Sequence, residues 1–248
     1  MAEVRVVDRA SETGPEIQEL KEALVTACRI LAHEGVAEAA FNVSCRLSGG
    51  MMMANPITSP TLVTTSNLQV YPIAEGSDSY KAHPAIYEER PDVNAIVHVH
   101  PPYAIAFSTL GEEFRPVHHY GAPFHGHMTT YRSPGQTKSV DRARELARQL
   151  GSNRVILQQG HGSIAVGKDL KEAVLLTLYL EEACKMLCIA RQMGTPQYLS
   201  PEQSERITGQ ILKQRSQDKA WLHYADKLRF TGRSMASPEI NAAQLRSV

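Results

Sequence analysis

The chain has 248 residues and a mass of 27.4 kDa, with 26 basic against 26 acidic side chains and 42% hydrophobic residues. That length buries one sizeable core, or two small ones at most. The balanced charge lacks the basic footprint that nucleic acid or an anionic membrane surface requires. No run of 18 apolar residues occurs, and the start, MAEVRVVDRASETGPE, carries charges where a signal peptide needs an apolar stretch, so the expected location is the cytoplasm.

In chain order, helical spacing of Ile17, Leu20, Leu24, Cys28 and Leu31 predicts a helix over about 15–34, closed by Gly35. From 41 to 75 the texture changes to short runs, FNVSCRL, MMMA, LVTT and LQVYPIA, punctuated by Gly and Pro, which read as strands and loops. HPAIYEERP is a short helix ended by Pro91, and NAIVHVH is a strand in which Ala95, Val97 and Val99 alternate with Ile96, His98 and His100. After Pro101-Pro102 come a helix AIAFSTL, a loop-rich stretch 112–136, a helix over 137–150, a strand RVILQQG and a turn HGSIAVG. The segment from Asp169, which would cap it, to Met193 reads as a central packed helix, followed by a helical region over PEQSERITGQILKQRSQDKAWLHYADKLRF and a mobile polar tail. Residues 1–248 are expected to form a single domain with a helical C-terminal extension from about 195. Strands in the middle and helices around them make a layered α/β fold.

Four cysteines, at 28, 45, 184 and 188, are too few and too irregular for a disulfide framework. Cys184 and Cys188 read as small hydrophobes on a helix face. Histidine is the unusual residue: six of ten fall between 98 and 127. On a strand, residues i and i+2 share a face about 6–7 Å apart, so His98 and His100 project side by side and can hold one divalent ion. His161 stands between glycines at the end of another apolar strand, VILQQGHG, where the backbone can approach closely. Three neutral imidazoles with open positions suit a catalytic rather than a structural ion.

The segment HPAIYEERPDVNAIVHVHPPYAIAFSTLG, followed 45 residues later by LQQGHGSIAVGKDLKEAVLLTLYLEEACK, resembles the class II aldolase/adducin family. The likeness covers residues 15–195 and rests on two motifs, over 90–100 and 159–162. It implies a three-layer α/β/α sandwich around a mainly antiparallel sheet, a homotetramer with active sites between subunits, and one divalent ion per subunit (Zn, Mn, Co or Fe) on His98, His100 and His161. It further implies a tyrosine reaching a neighbour's site from the region of His118, His119 and Tyr120, so His119 and Tyr120 are candidate proton donors. His125 and His127 are alternatives.

Two departures from the sugar-phosphate members bear on chemistry. Where they carry a metal-ligating acid four positions before a helix histidine, here His83, this chain has Ser79, with Asp78 adjacent. A serine neither balances metal charge nor serves alone as a general base. Their phosphate-binding glycine-asparagine pair reads Phe41-Asn42, keeping Asn42 as a substrate contact but filling the glycine's space, and their Thr-Pro-Ser-Gly turn is missing from MMMANPITSPTLVT. Both departures resemble a branch of the family that decarboxylates hydroxylated aromatic acids. Arg132 is a candidate for pairing with a substrate carboxylate, and Tyr224 for closing over the site. The expected function is metal-dependent decarboxylation of a hydroxylated aromatic or heteroaromatic acid, the small-molecule partner being a carboxylated substrate. Alternatives are an aldolase or epimerase with Asp78 as its acid, and a non-catalytic assembly module.

Overall fold

The computed structural model describes residues 14–75, 81–133 and 139–230. Among these residues seven helices, α1 (Pro15–His33), α2 (Ala82–Glu89), α3 (Pro102–Ser108), α4 (Val140–Leu150), α5 (Leu170–Met193), α6 (Pro201–Ile211) and α7 (Gln214–Phe230), surround seven strands. The strands are β1 (Asn42–Leu47), β2 (Met51–Ala54), β3 (Gln69–Pro72), β4 (Ala95–Val99), β5 (Met128–Tyr131), β6 (Val155–Gln158) and β7 (Gly162–Gly167). They form one sheet in the order β3-β2-β1-β4-β7-β6-β5. Every pairing is antiparallel except β5 with β6, so the sheet is mixed but mainly antiparallel.

Alternation along β4 shows how the layers are built. Ala95, Val97 and Val99 pack with Leu24, Cys28 and Leu31 of α1 and Val174 of α5 on one face. Ile96 packs on the other face with Ile86 of α2 and Leu146 of α4. Helix α1 begins at Pro15 and gives way to Gly35, whose φ of 73° a side chain would resist. Asp169 caps α5 by accepting from the Glu172 N–H at 2.8 Å, and half of the 24 residues of α5 are buried, as a helix between sheet and outer helices requires.

Several expectations are corrected. Within HGSIAVG only His161 lies in a turn; Gly162–Gly167 form strand β7, whose residues are buried on both faces and therefore show no polar alternation. The stretch 112–136 contains a 3-10 turn, His119–Phe124, and the edge strand β5, whose polar sequence MTTY lacks a strand's usual apolar signal. LVTT is not a strand, because Pro60–Leu62 make a 3-10 turn and Thr64 engages the Asn67 side chain. The helix expected over 137–150 begins at Val140 in the described part, capped by Ser139. The C-terminal region is helical as expected, divided into two helices, with Leu212 as the C-cap of the first. The polar tail lies outside the described residues.

Three cysteines, Cys28, Cys45 and Cys184, are buried. Burial pushes the Cys45 thiol up to about 12 and the other two higher still, so they are inert. No helix among the described residues is long and apolar enough to cross a membrane.

Candidate metal centre

Antiparallel pairing of β4 with β7 sets Val99 opposite Ser163 and His98 opposite Ile164. One step further along the same ladder, His100 meets the start of β7, where His161 immediately precedes Gly162. The three rings stand 4.9 to 5.3 Å apart, centroid to centroid, and their ligand atoms lie within 4.8 Å of one another. Among the described residues no carboxylate joins this donor set.

The tautomers follow from the partners. His98 Nδ1 lies 3.0 Å from the Ser163 carbonyl, which can only accept, so Nδ1 carries the proton and Nε2 keeps its lone pair. His100 Nδ1 likewise faces Glu38 Oε1 at 3.0 Å, and His100 Nε2 is buried with no hydrogen-bond partner. A buried imidazole nitrogen with a free lone pair, aimed among two other imidazoles, fits a divalent ion. Burial first, then the neighbouring His100 and His161, hold the His98 imidazole down at about 3, so it stays neutral as a ligand must. Gly162 leaves the space open. A Cβ there would sit 2.6 Å from Val99 O, 2.7 Å from His100 Cδ2 and 3.2 Å from His98 Cε1.

Helix α3 braces the segments that carry these histidines. Its first amides, Tyr103 N–H and Ala104 N–H, donate to the Glu181 carboxylate of α5 at 3.0 and 2.9 Å, just after His100-Pro101. Burial holds the Glu181 carboxyl above its ordinary range. At the other end of α3 the Ser108 hydroxyl accepts from Gly160 N–H at 2.9 Å, beside His161. Ahead of β4, Arg90 pairs with Asp92 at 2.6 Å and reaches the Gly151 carbonyl. The arginine and aspartate of the 90–100 motif are thus architectural, aiming the strand that carries His98.

The other candidates fall into separate groups. Asn42 pairs in register with His98 and shares its face. His83 is buried, 2.7 Å from Ser44 Oγ, which also meets Tyr87 OH at 2.9 Å; burial lowers His83 to about 3. Asp78 and Ser79 lie outside the described residues. His119 and Tyr120 contact each other at 4.1 Å between ring centroids, and Tyr120 stacks on Tyr179 of α5 at 4.2 Å. Within one chain none of these ring contacts reaches the triad. Burial pushes Tyr224 up to about 12, and its ring packs among residues of α1 and α5. His125 is spent on Ser204 Oγ at 2.8 Å, joining the 3-10 turn to α6. Arg132 lines a cavity of about 330 Å³ with Glu112, Thr130 and Gln149, and this cavity does not include the triad. The sequence reading missed Glu38, Ser108 and Glu181. Each is an ordinary polar residue in a loop or helix, with no local signal of what it meets.

Fold and donor set together define a layered α/β protein with three clustered histidines that could hold a metal ion. Residues 22–188 match the family described as Class II Aldolase and Adducin N-terminal domain, and the chain belongs to that family. Decarboxylase NovR of Streptomyces niveus is 30% identical over 135 residues, which are 54% of this chain and 50% of NovR. The chain thus spans about half the length of that relative. The 3,4-dihydroxyphthalate decarboxylase of Arthrobacter keyseri is 27% identical over 65% of this chain and 74% of its own. The 5-methylthioribulose-1-phosphate/5-deoxyribulose-1-phosphate aldolase of Rhodospirillum rubrum is 25% identical over 76% and 89%. These relatives are lyases. In fold, the chain is similar to an aldolase II superfamily protein from Pseudomonas syringae, with a TM-score of 0.78, 22% identity, and 89% and 96% of the two chains covered.

Proposed function

We propose that this chain is a divalent-metal-dependent decarboxylase of an ortho-hydroxylated aromatic or heteroaromatic carboxylic acid, active as a homotetramer of single-domain chains. The observation that carries the reading is the donor set: three imidazoles and, among the described residues, no carboxylate. Three neutral imidazoles bring no negative charge of their own to an ion, which favours a substrate bringing its own anions, a carboxylate beside a hydroxyl. Ser79, standing where the sugar-phosphate members carry an acid, agrees with this, and so does the kinship with two decarboxylases.

His98, His100 and His161 would hold the ion. Bound there, a divalent ion acts as a Lewis acid for the electrons set free when a carbon–carbon bond breaks. Asn42, opposite His98, contacts the substrate, and Arg132 and Tyr224 serve its outer end from a neighbouring copy. His119 or Tyr120, also from a neighbour, delivers a proton to the ring carbon bearing the carboxylate. The bond to the carboxylate then breaks, its electron pair restores the aromatic ring, and carbon dioxide leaves. No oxidant or reductant is consumed.

The test is to incubate metal-loaded protein with a panel of ortho-hydroxy aromatic and pyridine carboxylates and to measure released carbon dioxide. A second reading, aldol cleavage with Asp78 as the acid, is favoured by the broader coverage of the Rhodospirillum rubrum aldolase. An inert panel, together with cleavage of a ketose phosphate into two carbonyl fragments, would establish that reading instead.

A further inference from the structure

We infer that Glu38 is a positioning residue for the metal centre, holding His100 in the tautomer and orientation that present Nε2 to the ion. The inference rests on the metal-binding role of the triad proposed above. Glu38 comes from the loop between α1 and β1, 62 residues from His100 in sequence, and its Oε1 stands 3.0 Å from His100 Nδ1. The His100 side chain is 12% exposed and that of Glu38 68% exposed.

The loop is pinned on both sides of Glu38. The amides of Val36 and Ala37 both donate to the Leu31 carbonyl at 3.0 Å, and Val36 and Phe41 are buried at 5% and 4% exposure. The carboxylate is therefore delivered to His100 by its backbone rather than by chance of a long side chain on a free loop. A carboxylate has no hydrogen to give, so the shared proton belongs to Nδ1 and the lone pair to Nε2. That nitrogen is the buried atom without a partner. A carboxylate behind a ligating imidazole also raises the basicity of the distal nitrogen, and losing such a partner lowers metal affinity. A hydrogen bond to a side chain this exposed adds little to folding stability, so its effect separates from a structural one.

The experiment titrates the metal-free full chain with Co²⁺ alone, following the visible absorption of the bound ion, for the natural protein, Glu38→Ala, Glu38→Gln and His100→Ala. Thermal unfolding of each metal-free protein is measured alongside. We expect Glu38→Ala to weaken Co²⁺ binding by about 10- to 100-fold and to shift the absorption, with unfolding temperature unchanged. Glu38→Gln, which keeps an acceptor oxygen without the charge, should fall between. Natural affinity and spectrum in both Glu38 variants, with binding impaired in His100→Ala, would overturn the role of Glu38 and leave the triad standing. A Glu38→Ala protein that loses affinity only in step with its unfolding temperature would also overturn it. Failure of the natural protein to bind Co²⁺ would remove the triad reading itself, and Glu38 with it.

Discussion

The Ser108 hydroxyl accepts the Gly160 N–H at 2.9 Å and donates to the Ile105 carbonyl at 2.6 Å, so the end of α3 is fastened to the residue beside His161. The same helix starts two residues after His100, where Glu181 takes its first free amides. One short helix therefore spans both segments that carry the clustered histidines. Ser108→Ala should cost about 1–3 kcal/mol of stability, the range for a buried group losing its partner, and should weaken metal binding in the same variant. Denaturant unfolding and metal titration check the two effects. Undiminished affinity would show that the β4–β7 ladder alone places His161.

Gly162 is needed for space rather than for backbone freedom. Its φ is not positive, yet a Cβ would lie 2.6 Å from Val99 O and 2.7 Å from the His100 ring. Gly162→Ala should therefore abolish stoichiometric metal binding and destabilise the fold by about 1–3 kcal/mol, as overpacking does. Gly209 in α6 is the control, since a Cβ there meets nothing within 4 Å. Gly209→Ala should stabilise the protein by about 0.5–1 kcal/mol and leave metal binding unchanged.

Much of this was legible in the sequence because it is local. The i, i+2 spacing of His98 and His100 and the strand around them are set by neighbouring residues, as are the cap at Asp169 and the end of α1 at Gly35. What escaped was set at a distance. Strand β7 is buried on both faces and gives no alternation to read. Strand β5 pairs with β6, and its outer edge is covered by Gln149, whose side-chain amide donates to Thr130 O at 2.7 Å. Glu38 meets His100 only because the chain folds 62 residues back on itself. Arg132 looked suited to a substrate carboxylate, but within one chain it faces the Gly111 carbonyl at 3.4 Å in a separate cavity.

Burial of His83 makes stability depend on pH. Burial holds its folded-state value at about 3, against about 6.5 in an unfolded chain. Between those values the unfolded chain takes up a proton that the folded one refuses. Stability is thus full above pH ~6.5 and declines as pH falls, by about 1.4 kcal/mol per pH unit for one such group. His83→Asn should be less stable at pH 8, because the Ser44 contact is altered, but should show a flatter decline towards pH 5. Unfolding is followed with a chelator present, so that metal release from the triad adds nothing to the slope. An equal slope in both proteins would show that the decline comes from other groups, of which the similarly depressed His98 is the first.

The last prediction separates the two readings of the reaction at a single position. In the decarboxylase reading Ser79 carries no proton to or from carbon, because the reaction needs an acid at the ring carbon and no enediolate base. A hydroxyl that only hydrogen-bonds a ligand or water is worth about tenfold to a hundredfold in rate, or about 1.4–2.8 kcal/mol. Ser79→Ala should stay within that loss, with metal affinity unchanged since the three imidazoles remain. Ser79→Glu should bring a fourth, anionic ligand to the centre. It should tighten metal binding, slow decarboxylation by competing with the substrate carboxylate, and open weak aldol cleavage of a hydroxy-carbonyl compound. The measurements are carbon dioxide release, metal titration and carbonyl-fragment assay on the natural protein, Ser79→Ala, Ser79→Glu and Asp78→Asn. If Asp78→Asn instead removes all activity while Ser79→Ala is neutral, the acid belongs to Asp78, and the aldolase reading replaces the decarboxylase.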